Sequence, residues 1–509
     1  MTPVVVARMV SALPAGFRVD MDADTKQLSD GSLFGGSPGR VMRLTPAGAA
    51  ALDQLRGGPV RSAAAAQLAR RLTDGGLAHP IPPSDTAIPD AASVTVIIPV
   101  RDRAAMLERC LAATGAQYPV VVIDDGSADP DAIAAIAARH GADLIRRAES
   151  GGPAAARNAG LAGIDADLIA FLDSDCVPPP DWVSRLAGHF ADPLVGAVAP
   201  RIVATAPPSS ASPASTAPAL RYAAVRGSLD LGPRPARVQP GSRVSYVPTA
   251  ALLVRRAALD AVAAGRDLFD PELRYGEDVD LIWRLHQAGW RIRYEPAVRV
   301  PHQGPESWPG LLGRRFRYGT SAAPLARRHP ANMVPLVLHP WPAVTVAALL
   351  ARRPAAAAAG LVAAWFDLTS AVRRAGVPAD GAPAATLTAV HQTWLGLGRY
   401  ATQFAAPALV LALARPGGKS AVRRFGRRAA AASLLFGPAL TAYAERKPEL
   451  DPVRFSLAHI ADDICYGAGV WTGCLRERTI AGVRPAISWR PPSNAASPGT
   501  GPRTRKRKA

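Results

Sequence analysis

Cysteine is scarce in this chain: Cys110, Cys176, Cys465 and Cys474 are the only four in 509 residues, and none forms a Cys-x-x-Cys pair. That excludes a disulfide-framed fold and a paired-thiolate metal site, and it fits a reducing cytosol. Carboxylates are short as well, 40 Asp and Glu against 59 Lys and Arg, which leaves a formal net charge of +19. Such a surplus suits nucleic acid, an anionic membrane face or phosphorylated ligands. Zinc-finger spacing, an aromatic sheet signature and heptads are all missing, so nucleic acid is not expected as a partner. No cationic segment leads into an apolar run at the N-terminus, and secretion is not expected either. Long apolar runs are also lacking: the stretches 343–351, 355–366, 404–414 and 429–444 each fall short of the ~20 residues of a spanning helix.

Against that background Asp173-Ser174-Asp175 stands out, two carboxylates at i and i+2 where the apolar stretch 168–172 ends. Hard oxygen ligands there can hold a divalent cation against a diphosphate, because Mg2+-type ions take one or two protein carboxylates plus phosphate oxygens. Acidic pairs at strand ends also serve as turn-formers and caps, and the triplet alone does not separate the two uses. The surroundings say more. Residues 94–100 are a β-branched, continuously apolar run of the kind found in buried parallel strands, followed by a helical stretch over 104–113. Residues 118–123 repeat the run and end in Asp124-Asp125-Gly126-Ser127, on the carboxyl edge where open α/β sheets hold ligands. A helix over 130–140, a strand over 142–145, and a helix opened by Ser150-Gly151-Gly152-Pro153 that carries Arg157 and Asn158 continue the alternation. The pattern predicts a doubly wound sheet with its acidic clusters on one edge.

Further along, Glu277 and Asp278 open an amphipathic helical pattern running to His286, in a first turn where the helix dipole favours negative charge. A capping pair would look the same. Transfer of a group to a hydroxyl, as in glycosyl transfer, needs a carboxylate within hydrogen-bond reach of the proton to be removed, which makes Asp278 the candidate base and Glu277 a candidate for positioning an acceptor. A strand over 291–294 and a second run, 298–301, deliver His302 into a loop. The segment Arg314-Arg315-Phe316-Arg317-Tyr318 lies in a helix starting near Ser307. It is either a solvated basic face or, through Arg314 and Arg317, a cationic cradle for a leaving diphosphate.

Taken together, Pro99, Asp124 to Ser127, the Gly-Gly-Pro segment with Arg157 and Asn158, Asp173-Ser174-Asp175 and Gly276-Glu277-Asp278 resemble the inverting family-two glycosyltransferases of the A-type fold. The resemblance spans roughly 93–330. It implies a nucleotide-sugar donor and Mn2+ or Mg2+. Pro99 and Asp102 would flank the donor cleft, Asp125 and Arg157 would contact nucleoside and diphosphate, Asp173 the ribose side, and Thr249 the sugar pocket. Asp175 would hold the metal, and His302 would complete its site as in several relatives, imidazole suiting Mn2+ better than Mg2+.

Residues 1–84 read as a separate unit. A β-ribbon is expected over 17–44, a helix from the Thr45-Pro46 cap to about Leu55, and a second helix over 62–74 ended by Gly75-Gly76. This unit is similar to winged-helix peptide-recognition domains, although an accessory cap packed on the catalytic part would read alike. Such a unit ahead of a family-two transferase resembles the glycosyltransferases of the mycofactocin system, which implies UDP-glucose as donor, a small peptide-derived acceptor and a growing oligosaccharide.

Residues 81–92 are expected as linker and 204–241, rich in Pro, Ser and Ala, as a mobile insert near the active site. The expected fold class is thus α/β: an A-type catalytic domain over 93–330, the winged-helix-like domain before it, a helical apolar region over 331–490, and a disordered basic tail over 491–509. Arg pairs at 373–374, 423–424 and 427–428 flank the apolar stretches and suit an anionic inner leaflet, placing the protein at the cytoplasmic membrane face or in the cytoplasm. The alternatives are soluble helical packing, a membrane-associated polysaccharide or glycolipid transferase, and a non-catalytic binding scaffold. A processive synthase would carry several spans and a Gln-x-x-Arg-Trp motif, and Arg314 to Tyr318 is only loosely like that motif.

Overall fold

The computed structural model describes residues 12–84, 89–205, 218–374, 376, 378–416 and 420–489. Five chain segments enter the N-terminal unit as strands: β1 (Arg18–Met21), β2 (Lys26–Gln27), β3 (Leu33–Gly35), β4 (Arg40–Met42) and β5 (Ala78–Ile81). Between β4 and β5 lie the helices Pro46–Gly57 and Ala63–Gly75, started by Thr45 and Ser62, whose hydroxyls accept from Gly48 and Ala65 N–H. The expected single ribbon over 17–44 is not formed. Only β2–β3–β4 make a ribbon, whereas β1 pairs antiparallel with β5, and the Asp22–His79 contact at 2.8 Å locks that pairing. The expected linker therefore starts after Ile81. Phe17, Leu33, Leu52, Leu55, Leu68, Leu72 and Leu77 give the unit a core of its own.

The main sheet has β6 (Val94–Val100), β7 (Val120–Asp125), β8 (Asp143–Arg147), β9 (Leu168–Leu172), β10 (Val195–Ala204), β11 (Ala236–Val238), β12 (Ala251–Arg255) and β13 (Arg291–His302). Their order across the sheet is β11-β13-β10-β12-β9-β6-β7-β8. β6, β7, β8 and β9 are parallel, as the continuous apolar runs require, and cores line both faces. The sheet is mixed, however, and not doubly wound throughout. The loop before β12 enters at the carboxyl end of β9, where Asp173 N–H donates to Ala250 C=O at 2.9 Å, so β12 must run back antiparallel beside β9.

The stretch expected as a mobile insert is ordered from Pro218 onward: the helix Pro218–Arg226 buries Tyr222, and β11 forms the sheet edge on β13. Its earlier part, 206–217, lies outside the described residues, as does the tail expected over 491–509. Two short strands, β14 (Val337–Leu338) and β15 (Ala486–Ile487), pair in parallel around a helical C-terminal region.

That region differs from the expected short apolar stretches. It contains the helices Pro340–Leu350, Pro354–Arg374, Ala382–Ala414, Ala421–Arg446 and Pro452–Arg476. Polar residues such as Asp367, Thr369 and Ser370 continue the apolar turns instead of ending them, so Pro354–Arg374 reaches 21 residues, and its most apolar 18-residue window has a mean hydropathy of 1.5. Among the described residues it is the one helix long and apolar enough to cross a membrane.

Candidate active site

Two segments meet at the carboxyl edge of β9. Cys176 bridges to His302, Val177 N–H donates to Pro301 C=O at 2.8 Å, and Gln303 N–H donates to Asp175 C=O at 3.0 Å. His302 is thus the last residue of β13, not a loop residue beyond it, and its Nε2 stands 3.5 Å from Asp175 Oδ1. That Oδ1 is buried and has no hydrogen-bond partner among the described residues, while Oδ2 accepts from Arg103 Nη1 at 2.6 Å. Burial alone would raise the Asp175 carboxyl, but the His302 ring, Arg103 and Arg314 outweigh it and hold it at about 2. A buried, ionised carboxylate with an unsatisfied oxygen beside an imidazole is a donor set that fits Mn2+ or Mg2+. Among the described residues no third His, Cys, Asp or Glu joins them, so the remaining ligands of such an ion would be substrate oxygens and water.

The second half of the site is built by Arg157. Its guanidinium donates to Asp173 Oδ1 at 2.7 Å and to Glu277 Oε1 at 2.9 Å, and only 4% of the side chain is exposed. Its pKa is raised further: burial opposes the charge, and Asp173 and Glu277 more than offset that. In this state Nη1 and Nη2 are both engaged, and Arg157 acts as a clamp between two acidic segments about a hundred positions apart.

Asp278 sits next to that clamp, one residue into the helix Glu277–Gln287. Gly276 starts the helix at φ +83°, a conformation that L side chains rarely adopt, and a Cβ there would press on Leu325 and Ser321. Burial first, and the charge of Glu277 second, push the Asp278 carboxyl up to about 7, with Asp173 adding to the rise; Val279 N–H and Arg157 pull the other way. Its charge reaches Tyr246 and Tyr318: burial raises both phenols, and Asp278 raises them further.

The remaining expected residues divide clearly. Both oxygens of Asp125 are taken, by Arg147 and Gly151 N–H on one and by Ser150 and Gly152 N–H on the other, so in this state it anchors the Gly-Gly-Pro loop. Asp102, at φ +54°, accepts from Ala128 N–H at 2.7 Å and ties two loops of the same edge together. Pro99 is the half-buried penultimate residue of β6. Thr249 is buried beside Ala250, the partner of Asp173. Arg314 is near enough to lower Asp175, whereas Arg317 is exposed.

Arg103, Tyr246, Tyr318 and Asp462 escaped the sequence reading. Asp462, on the helix Pro452–Arg476, binds Arg315 through Nε at 2.5 Å and Nη2 at 3.0 Å and accepts from Tyr222 at 3.2 Å. Gly319 and Gly469 let that helix touch Trp308–Thr320 backbone to backbone. Nothing in the spacing of Asp462 could have announced this, since it lies 147 residues from Arg315.

Residues 95–261 match glycosyl transferase family 2. The chain is 38% identical over 501 residues to the pre-mycofactocin glycosyltransferase of Mycobacterium tuberculosis (strain H37Rv), covering 93% of this chain and 98% of that one. It is 27% identical over 235 residues to the glycosyltransferase AglE of Haloferax volcanii, covering 44% of this chain and 71% of that one. A crystal structure of GalNAc-T7 with UDP, GalNAc and Mn2+ is similar over 47% of this chain and 52% of that one, at 17% identity and a TM-score of 0.32.

Proposed function

We propose, from the premise that this chain belongs to the pre-mycofactocin glycosyltransferases of family two and has the A-type fold, that it moves glucose from UDP-glucose onto a peptide-derived redox cofactor with inversion, and repeats the step to build an oligosaccharide. The observation that carries this reading is the convergence of Asp173, Asp175, Glu277 and Asp278 at one sheet edge, two of them clamped by Arg157 and one raised to about 7.

Asp175 and His302 would hold Mn2+ or Mg2+, which when bound supplies positive charge to the departing diphosphate. Arg314 adds a cation on the same side. Asp278 accepts the proton of the acceptor hydroxyl; the freed oxygen attacks the anomeric carbon as the bond to the diphosphate breaks, and UDP leaves from the opposite face. A carboxyl near 7 is well matched to that proton. Glu277, fixed by Arg157, orients the acceptor. Thr249 borders the transferred sugar, Asp173 lies on the ribose side, Asp125 and Arg157 lie toward the nucleoside and diphosphate, and Pro99 and Asp102 flank the donor cleft. The N-terminal unit recognises the peptide-derived part of the acceptor, and the apolar helix Pro354–Arg374 rests on the cytoplasmic membrane face.

The test is transfer by the purified full-length chain, with Mn2+ and UDP-glucose, to the peptide-derived acceptor. Products spaced by one hexose in the mass spectrum are expected. Absence of transfer from UDP-glucose alongside transfer from another nucleotide sugar would replace the donor; no transfer from any would remove the catalytic reading.

A further inference from the structure

Two turns meet at one end of the C-terminal bundle. Arg352, left-handed at φ +58°, ends the turn after Pro340–Leu350, and its Nη1 donates to Val422 C=O at 3.0 Å at the start of Ala421–Arg446. Its guanidinium also lies 5.8 Å from the centre of the Phe425 ring. Arg353, Arg423 and Arg428 are exposed on the same two turns. Neither 347–366 nor 410–431 contains an Asp or Glu, so these segments bring no carboxylate to offset the arginines.

Arg352 also lines an open groove of about 540 Å3 between three helices, with Leu349, Leu350, Leu387, Val390 and Ala430 among its walls. The indole N–H of Trp394 inside it is already spent on Ser433 Oγ at 2.9 Å, which leaves Arg352 and the His391 ring as the polar groups of walls that are otherwise mainly hydrocarbon. The volume is of the order that takes a small-molecule or single-chain ligand, roughly 300–1,000 Å3. Leu349 is 57% and Leu387 60% exposed, an apolar area a soluble surface rarely leaves open. Next to it runs Pro354–Arg374, apolar enough to cross a membrane and only 17% buried in its most apolar window.

We propose that this groove takes one acyl chain of an anionic phospholipid from a bilayer, with the phosphate held at the end marked by Arg352, Arg353 and Arg423. A cationic mouth over a hydrocarbon trough complements an anionic head on an apolar chain, and the adjoining apolar helix rests on the same surface. The site is separate from the transferase centre, and its existence does not depend on which sugar is moved.

The experiment uses the full chain with vesicles of phosphatidylglycerol or of phosphatidylcholine alone, and a phosphatidylglycerol with a fluorescent acyl chain. Binding to the anionic vesicles is expected to be at least tenfold tighter. The pair R353E and R423E should weaken it by roughly fivefold per arginine. Ala430→Trp and, from a facing helix, Val390→Trp should each abolish uptake of the fluorescent chain while donor hydrolysis stays at the parental rate. Equal binding to both vesicle types overturns the proposal. So does unchanged uptake in both plugged variants, complete competition by inorganic phosphate, or a lipid-free dimer that either plug dissolves, which would make a second copy the occupant.

Discussion

Arg103 Nη1 stands 2.6 Å from Asp175 Oδ2, a cation held against the one carboxylate best suited to a metal ion. Arg103 is about half exposed and can swing away, whereas Asp175 is buried and fixed by the strand contacts on either side. The arginine therefore competes with the ion it precedes. Arg103→Gln should tighten Mn2+ binding severalfold in the absence of nucleotide. Isothermal titration checks this, and weaker Mn2+ binding would mean that Arg103 supports the ion instead.

Asp175→Asn removes the charge that holds the ion. Transfer should be lost and UDP-glucose binding in Mn2+ weakened, while binding in EDTA stays close to the parent. Near-parental turnover in Asp175→Asn would end the metal assignment.

The Asp278 carboxyl, raised by burial and Glu277 to about 7, predicts a pH limb. Single-turnover transfer should climb with pH through about 7, and Asp278→Asn should lose that limb together with about 10²–10⁴ of the rate, while still binding UDP-glucose. Stability should move the opposite way. Because the folded-state value lies above the unfolded one, the neutral form stabilises the fold at low pH, and this contribution is lost as pH rises through about 7. Asp278→Asn should thus gain in Tm over the parent as pH rises from the ordinary carboxylate range to about 7 and keep that gain above it, which thermal scans across that range would show.

Arg157 neutralises two acidic segments from a buried position. Arg157→Ala leaves Glu277 buried without its partner and should cost about 3–5 kcal/mol, read by urea unfolding. Asp462→Asn should free Arg315 and disturb Tyr318 on the same helix, lowering transfer with little change in nucleotide affinity, and Asp462→Glu should restore part of it. Parallel loss of nucleotide binding would show that the helix contact matters only for folding.

The N-terminal unit is clasped to the catalytic domain by Arg70 on both oxygens of Asp192, at 2.7 and 2.8 Å, and by Asp74 with Arg291. Deleting residues 1–84 would strand Asp192 and should destabilise the remainder, so its part in acceptor recognition is better tested with exposed substitutions on β2–β4. Reduced transfer to the peptide-derived acceptor with unchanged donor hydrolysis is expected. Equal acceptor kinetics would reduce the unit to a packing element.

Local chemistry was legible from residues alone. The apolar runs of β6, β7 and β9 are strands because they are apolar on both faces, and each deposits its carboxylates at the carboxyl edge by chain direction. The caps at Thr45, Ser62 and Ser307 and the acidic first turn at Glu277 likewise follow from neighbours in the chain. What only tertiary structure decided was pairing across distance. β1 joins β5 instead of the ribbon because His79 meets Asp22 there. Arg157 clamps Asp173 and Glu277 across about a hundred positions, and Asp462 reaches Arg315 because glycines bring two helices into backbone contact. Burial and charge partners belong to the folded arrangement, and the values of about 2 at Asp175 and about 7 at Asp278 come from those surroundings, not from the Asp residues themselves.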